Sequence, residues 1–104
     1  MQTIVIVLNS TKMANPDLDI RYILPERIEE YTNNSIIDNG YDYISGTELG
    51  LWLETDDSAN NVEKIIQLIK TETFLENDLS NVADIFVSEE EGAEIEHCRK
   101  VYPI

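Results

Sequence analysis

Five consecutive apolar residues, Ile4-Val5-Ile6-Val7-Leu8, constrain this chain more than any other feature. Most are β-branched, and no polar residue interrupts the alternation, so neither face of a strand here is suited to water. The run predicts a central strand buried on both faces and closed by Asn9-Ser10-Thr11. A strand of this kind needs neighbours on both sides and a covering layer.

The remaining segments supply them. Lys12 to Ile23 has no clean period and contains Asn15-Pro16, which reads as a loop with an extended or helical piece. Pro25 fits the first turn of a helix running to about Thr32, with Leu24, Ile28 and Tyr31 inward. Ser35 to Ile44 and Leu49 to Thr55 read as antiparallel strands. In the second, Leu49, Leu51 and Leu53 face one way while Gly50, Trp52 and Glu54 face the other. Their connection is Ser45-Gly46-Thr47 or a tight turn at Asn39-Gly40. The first suits the strand lengths, and both hold if Asn39-Gly40 is a bulge.

Asp57-Ser58 supplies an N-cap for a helix from about Ala59 to Thr71, with Val62, Ile65, Ile66 and Ile69 as its apolar stripe. Glu72 to Asn81 is polar and irregular, pinned by Phe74, Leu75 and Leu79. Asp84 to Ser88 is a further strand, Glu89 to Gly92 a turn, and Ala93 to Cys98 an alternating last strand. The expected fold is α+β: a ferredoxin-like βαββαβ two-layer sandwich over residues 1–104. Its antiparallel sheet carries an extra C-terminal strand and has helices on one face.

Charge decides which functions fit such a domain. The chain has 7 Lys and Arg against 21 Asp and Glu, a net −14. That excludes displacing counterions from a nucleic acid, and it disfavours an anionic membrane surface. Two windows, Ile28–Glu63 and Thr71–Cys98, hold nine acids each and no Lys or Arg. Solubility alone needs a net charge of roughly 2–8 in magnitude, so this chain accepts self-repulsion beyond that need. A short apolar N-terminal run without a basic segment, and one cysteine, point to a cytoplasmic protein with neither signal peptide nor membrane span.

Catalytic chemistry finds little foothold. His97 and Cys98 are adjacent, but neighbours on a strand face opposite ways. Two soft ligands are too few for zinc. Asp17-Leu18-Asp19 and Asp56-Asp57-Ser58 lack the glycine-centred loop and closing Glu of a calcium hand, and read more simply as caps and turns. The four glycines are scattered, so no phosphate loop exists. The chain is expected to be a non-enzyme without metal or cofactor.

Binding chemistry is better represented. Asp42, Tyr43, Glu48, Trp52, Glu54, Asp56 and Asp57 fall on the central hairpin and the loop after it. Tyr43 and Trp52 are the side-chain types that anchor interfaces, and the carboxylates would meet Lys or Arg of a partner. Against this stands a plainer account, in which the aromatics fill the core or lie under the Lys12–Ile23 loop. The Glu89–Glu96 acids read as a solvated rim that steers encounter.

The phrases Asn15-Pro16-Asp17-Leu18-Asp19-Ile20-Arg21-Tyr22-Ile23-Leu24-Pro25-Glu26 and Leu49-Gly50-Leu51-Trp52-Leu53-Glu54, in a small acidic α+β chain, resemble the immunity proteins of contact-dependent growth-inhibition systems. The resemblance implies an inhibitor of one cognate toxin, commonly a basic nuclease, whose substrate groove it would occlude by electrostatic complementarity. It carries no residue role. Two other functions fit the same residues: a phage or mobile-element nucleic-acid mimic, and a small ligand-sensing regulatory domain.

Overall fold

The computed structural model describes all 104 residues. The apolar run becomes β1 (Gln2–Asn9), the middle strand of five. Its even-numbered residues Ile4, Ile6 and Leu8 enter a core with both helices, while Val5 on the opposite face is also 0% exposed. Two-sided burial is therefore real, and each fully buried Ile or Leu stabilises the fold by about 1.5–3 kcal/mol.

Around β1 the chain lays down α1 (Ile20–Tyr31), β2 (Ile36–Tyr43), β3 (Glu48–Thr55), α2 (Ser58–Thr71), β4 (Ala83–Ser88) and β5 (Arg99–Tyr102). The sheet order is β2-β3-β1-β4-β5, with every neighbouring pair antiparallel. Ile20, Leu24 and Ile28 of α1 and Val62, Ile65, Leu68 and Ile69 of α2 cover the same face. No helix is long and apolar enough to cross a membrane.

Several boundaries differ from expectation. Helix α1 starts at Ile20, five residues before Pro25, because Ile20, Leu24 and Ile28 recur every fourth residue and share one buried stripe. Pro25 sits inside the helix, where its missing N–H leaves the Arg21 carbonyl without an intrahelical donor. Tyr31 turns outward and lies under the Arg27 guanidinium, 5.6 Å from its ring centre. In α2 the buried stripe takes in Leu68, whereas Ile66 only flanks it.

The β2–β3 hairpin turns at residues 44–47, and the register slips between Asp38 and Tyr41. Gly40 takes φ +94° there, a conformation that costs glycine little, so Asn39-Gly40 is the bulge. Asp57 caps α2 by accepting from the Asn60 N–H at 3.3 Å.

The expected last strand over Ala93–Cys98 is overturned. Residues 89–98 cross the sheet's second face and make only one short helical turn, Ile95–His97, before β5 pairs with β4. Tertiary bonds outcompete strand pairing here. The Ala93 N–H donates to Thr3 Oγ1 at 3.1 Å, Thr3 Oγ1–H donates to the Glu90 carbonyl at 2.7 Å, and the Trp52 indole holds the Ala93 carbonyl.

Residues 72–78 hold a second tertiary tie. Phe74 and Asn77 exchange backbone hydrogen bonds around Leu75 and Glu76, which both have positive φ. The Asn77 side chain is 0% exposed and fully bonded. It accepts from the Asn15 N–H at 2.8 Å and donates to the carbonyls of Asn15, Phe74 and Leu75. Asn77 thereby fastens the loop before α1 to the loop after α2.

Candidate interaction surfaces

Strand register sorts the expected interface residues. Asp42 pairs with Gly50, and Trp52 follows two residues on, so Asp42 and Trp52 share the face away from the helices. The Trp52 ring lies back over Gly50: a Cβ there would collide with the ring and stand 3.2 Å from Ile44 Cδ1. Glycine at position 50 is what lets the indole lie flat on the sheet.

Trp52 is only half-buried, and its cover is the Ala93–Glu96 segment rather than the loop before α1. Asp42, Tyr43, Ile44, Trp52, Glu94, Ile95 and Glu96 together outline a shallow depression of about 320 Å³. Asp42 belongs to the first cation-free window, and Glu94 and Glu96 to the second. Carboxylates about half the chain apart in sequence thus meet around one tryptophan. Glu54 continues the same face beside Thr3.

The other expected residues sit elsewhere. Asp56 and Asp57 lie four and five residues beyond Trp52, or about 13–17 Å along an extended chain. Their carboxylates accept from Asn61 Nδ2 and Asn60 Nδ2 at 3.1 and 2.7 Å, as a cap structure requires. Glu48 accepts from Ser45 Oγ in the hairpin turn.

Tyr43 pairs with Leu49 and Tyr41 with Leu51, so both tyrosines belong to the helix-bearing side, at the edge strand. There they join a residue that sequence reasoning passed over. Tyr22 of α1 meets Tyr41 edge-to-face at 6.1 Å, and Tyr41 meets Tyr43 at 6.3 Å. The three rings are 53, 42 and 51% exposed respectively. The Arg21 guanidinium lies 4.7 Å from the Tyr22 ring centre and 5.2 Å from that of Tyr41, while its Nε is buried without a hydrogen-bond partner. The neighbouring guanidinium draws the Tyr22 phenol below its usual range, and Tyr22 in turn pushes Tyr41 up. Such a tyrosine ladder offers rigid amphipathic area at small entropic cost. The sequence signal available was Tyr22 beside Arg21, hidden in a segment without clean periodicity.

His97 and Cys98 diverge. His97 Nδ1 lies 3.6 Å from Glu90, whereas Cys98 Sγ–H donates to the Glu94 carbonyl at 3.4 Å. Burial, then the charges of Glu90 and Glu96, push the Cys98 thiol up, away from the nucleophilic thiolate. No group of three or more His, Cys, Asp or Glu side chains is arranged to hold a metal ion.

No family model matches this chain, and neither a curated protein nor a solved structure is significantly similar to it.

Proposed function

We propose that this chain is an immunity protein of a contact-dependent growth-inhibition system, acting in the cytoplasm as a non-enzymatic inhibitor of a basic toxin domain, commonly a nuclease. On this reading its β2-β3-β1-β4 core is the ferredoxin-like split βαβ arrangement, with β5 added at one edge. The observation that carries the proposal is the meeting of Asp42, Glu94 and Glu96 around Trp52. An indole surrounded by carboxylates gives a partner apolar area to bury and charges complementary to Lys and Arg. The wider −14 field would steer a cationic toxin toward that face.

The test is co-expression with the product of the adjacent gene. The chain should restore growth and co-elute with that product. Asp42→Asn with Glu94→Gln and Glu96→Gln should weaken rescue while leaving thermal stability intact. If the adjacent product is toxic and is neither bound nor neutralised, the proposal fails. The same carboxylate face would suit a nucleic-acid mimic. Inhibition of a DNA-binding protein without rescue from the toxin would select that alternative.

A further inference from the structure

A narrow cavity of about 70 Å³ lies between residues 13–18 and the β2–β3 hairpin, on the helix-bearing side of the sheet. Leu8, Ile20 and Leu49 of the core give it an apolar floor, and Tyr43 forms part of its wall. Its lining includes two acids, Asp17 and Glu48. Neither is ion-paired, because the chain's salt bridges are Arg27–Glu30, Arg27–Glu72, His97–Glu90 and Lys100–Asp84. Tyr43 joins this cavity to the tyrosine ladder, so the two form one continuous surface.

The geometry points to a socket for an arginine side chain presented by a basic protein partner. The aliphatic stem would lie on the apolar floor while the guanidinium stays at the mouth, as long cationic side chains do at apolar surfaces. There it meets the Tyr43 ring and the unpaired acids, which together supply cation–π and charge-assisted hydrogen-bonding partners. Arg21 illustrates the preference within the chain, since its guanidinium already lies against Tyr22 and Tyr41. A second copy is the wrong occupant: each copy carries −14, and this face would bring Asp17 and Glu48 against their equivalents. The inference rests on the reading of the chain as a binder of a basic protein, and it names a second site that meets the Trp52 depression only at Tyr43.

The test uses the intact protein and two neutral-backbone probes, N-acetylarginine methylamide and its uncharged citrulline counterpart, titrated at low salt while amide NMR signals are followed. The arginine probe should shift residues 13–18 and 43–49 saturably, with affinity about threefold or more above that of citrulline. Asp17→Asn combined with Glu48→Gln should reduce arginine to the citrulline level, with the remaining spectrum unchanged. Equal responses to both probes would overturn the socket. So would the absence of saturable shifts, or shifts centred on Trp52. A chain that takes arginine here but fails to rescue growth loses the immunity proposal and keeps the socket. Rescue without arginine binding does the reverse.

Discussion

The Trp52 indole Nε1–H donates to the Ala93 carbonyl oxygen at 2.9 Å, tying an acidic connecting segment to the sheet face that carries no helix. One bond joins residues 41 positions apart and brings two acidic windows together. Replacing Trp52 with Phe removes the donor and strands a carbonyl, at a cost of about 1 kcal/mol. Gly50→Ala forces the indole off the sheet and costs about 1–3 kcal/mol. Denaturant titration measures both losses. Hydrogen exchange at the Ala93 amide should speed up in each variant, since that amide depends on the same docking.

A second expectation concerns backbone strain. Leu75 and Glu76 have φ of +49° and +69° around a two-residue turn, where Asn-Gly is the favoured pair. Glu76→Gly should therefore stabilise the protein by about 1 kcal/mol. Asn77→Ala removes a buried side chain with bonds to Asn15, Phe74 and Leu75, and should destabilise by about 2–4 kcal/mol. Thermal or urea unfolding of the two variants should move in opposite directions.

These ties explain which parts of the fold were legible in the sequence. Ile4–Leu8, the alternating leucines of β3 and the Asp57 cap signal themselves through periodicity or local hydrogen bonding. The start of α1 was hidden because Pro25 imitates a first-turn proline, while the buried stripe begins at Ile20. Ala93–Cys98 alternates like a strand, yet its backbone is claimed by Thr3 and Trp52 from far away in sequence. Alternation put Trp52 and Glu54 on one face, and the register agrees, whereas Asp42 joins them through the slip in β2. The slip at Asn39-Gly40 turns the Tyr43 position toward the helix-bearing side, yet Tyr43 still lines the rim of the Trp52 depression. Glu94 and Glu96 reach the site only through the tertiary crossing.

Acid pH should expose one ion pair. Arg27 binds both Glu72 oxygens, with Nε at 3.0 Å and Nη2 at 2.7 Å, and this holds the Glu72 carboxyl below its ordinary value of 4.5. The unfolded chain therefore binds the proton more readily. The pair's stabilisation is complete above 4.5 and is lost as pH falls through the lowered value. Wild type should unfold at a higher temperature than Glu72→Gln at neutral pH, and the gap should narrow progressively as pH is lowered below 4.5. A gap independent of pH would assign the effect to packing.

Cys98 should be a slow thiol. Its raised titration leaves less thiolate near neutrality than an ordinary cysteine has. Alkylation by iodoacetamide at pH 8 should run several-fold slower on the folded protein than on urea-unfolded chain. Equal rates would contradict the burial and acidic surroundings assigned to it.

The most direct test of the account is the association rate between this chain and any neighbouring gene product that proves toxic, followed by stopped-flow fluorescence of Trp52 across a salt series. The account predicts association that approaches roughly 10⁸ M⁻¹s⁻¹ at low salt and falls steeply as salt is added. Neutralising Asp42, Glu94 and Glu96 together should flatten that dependence. A salt-independent rate with the native chain, or a slope unaltered in the neutralised variant, would contradict electrostatic capture by the Trp52 face.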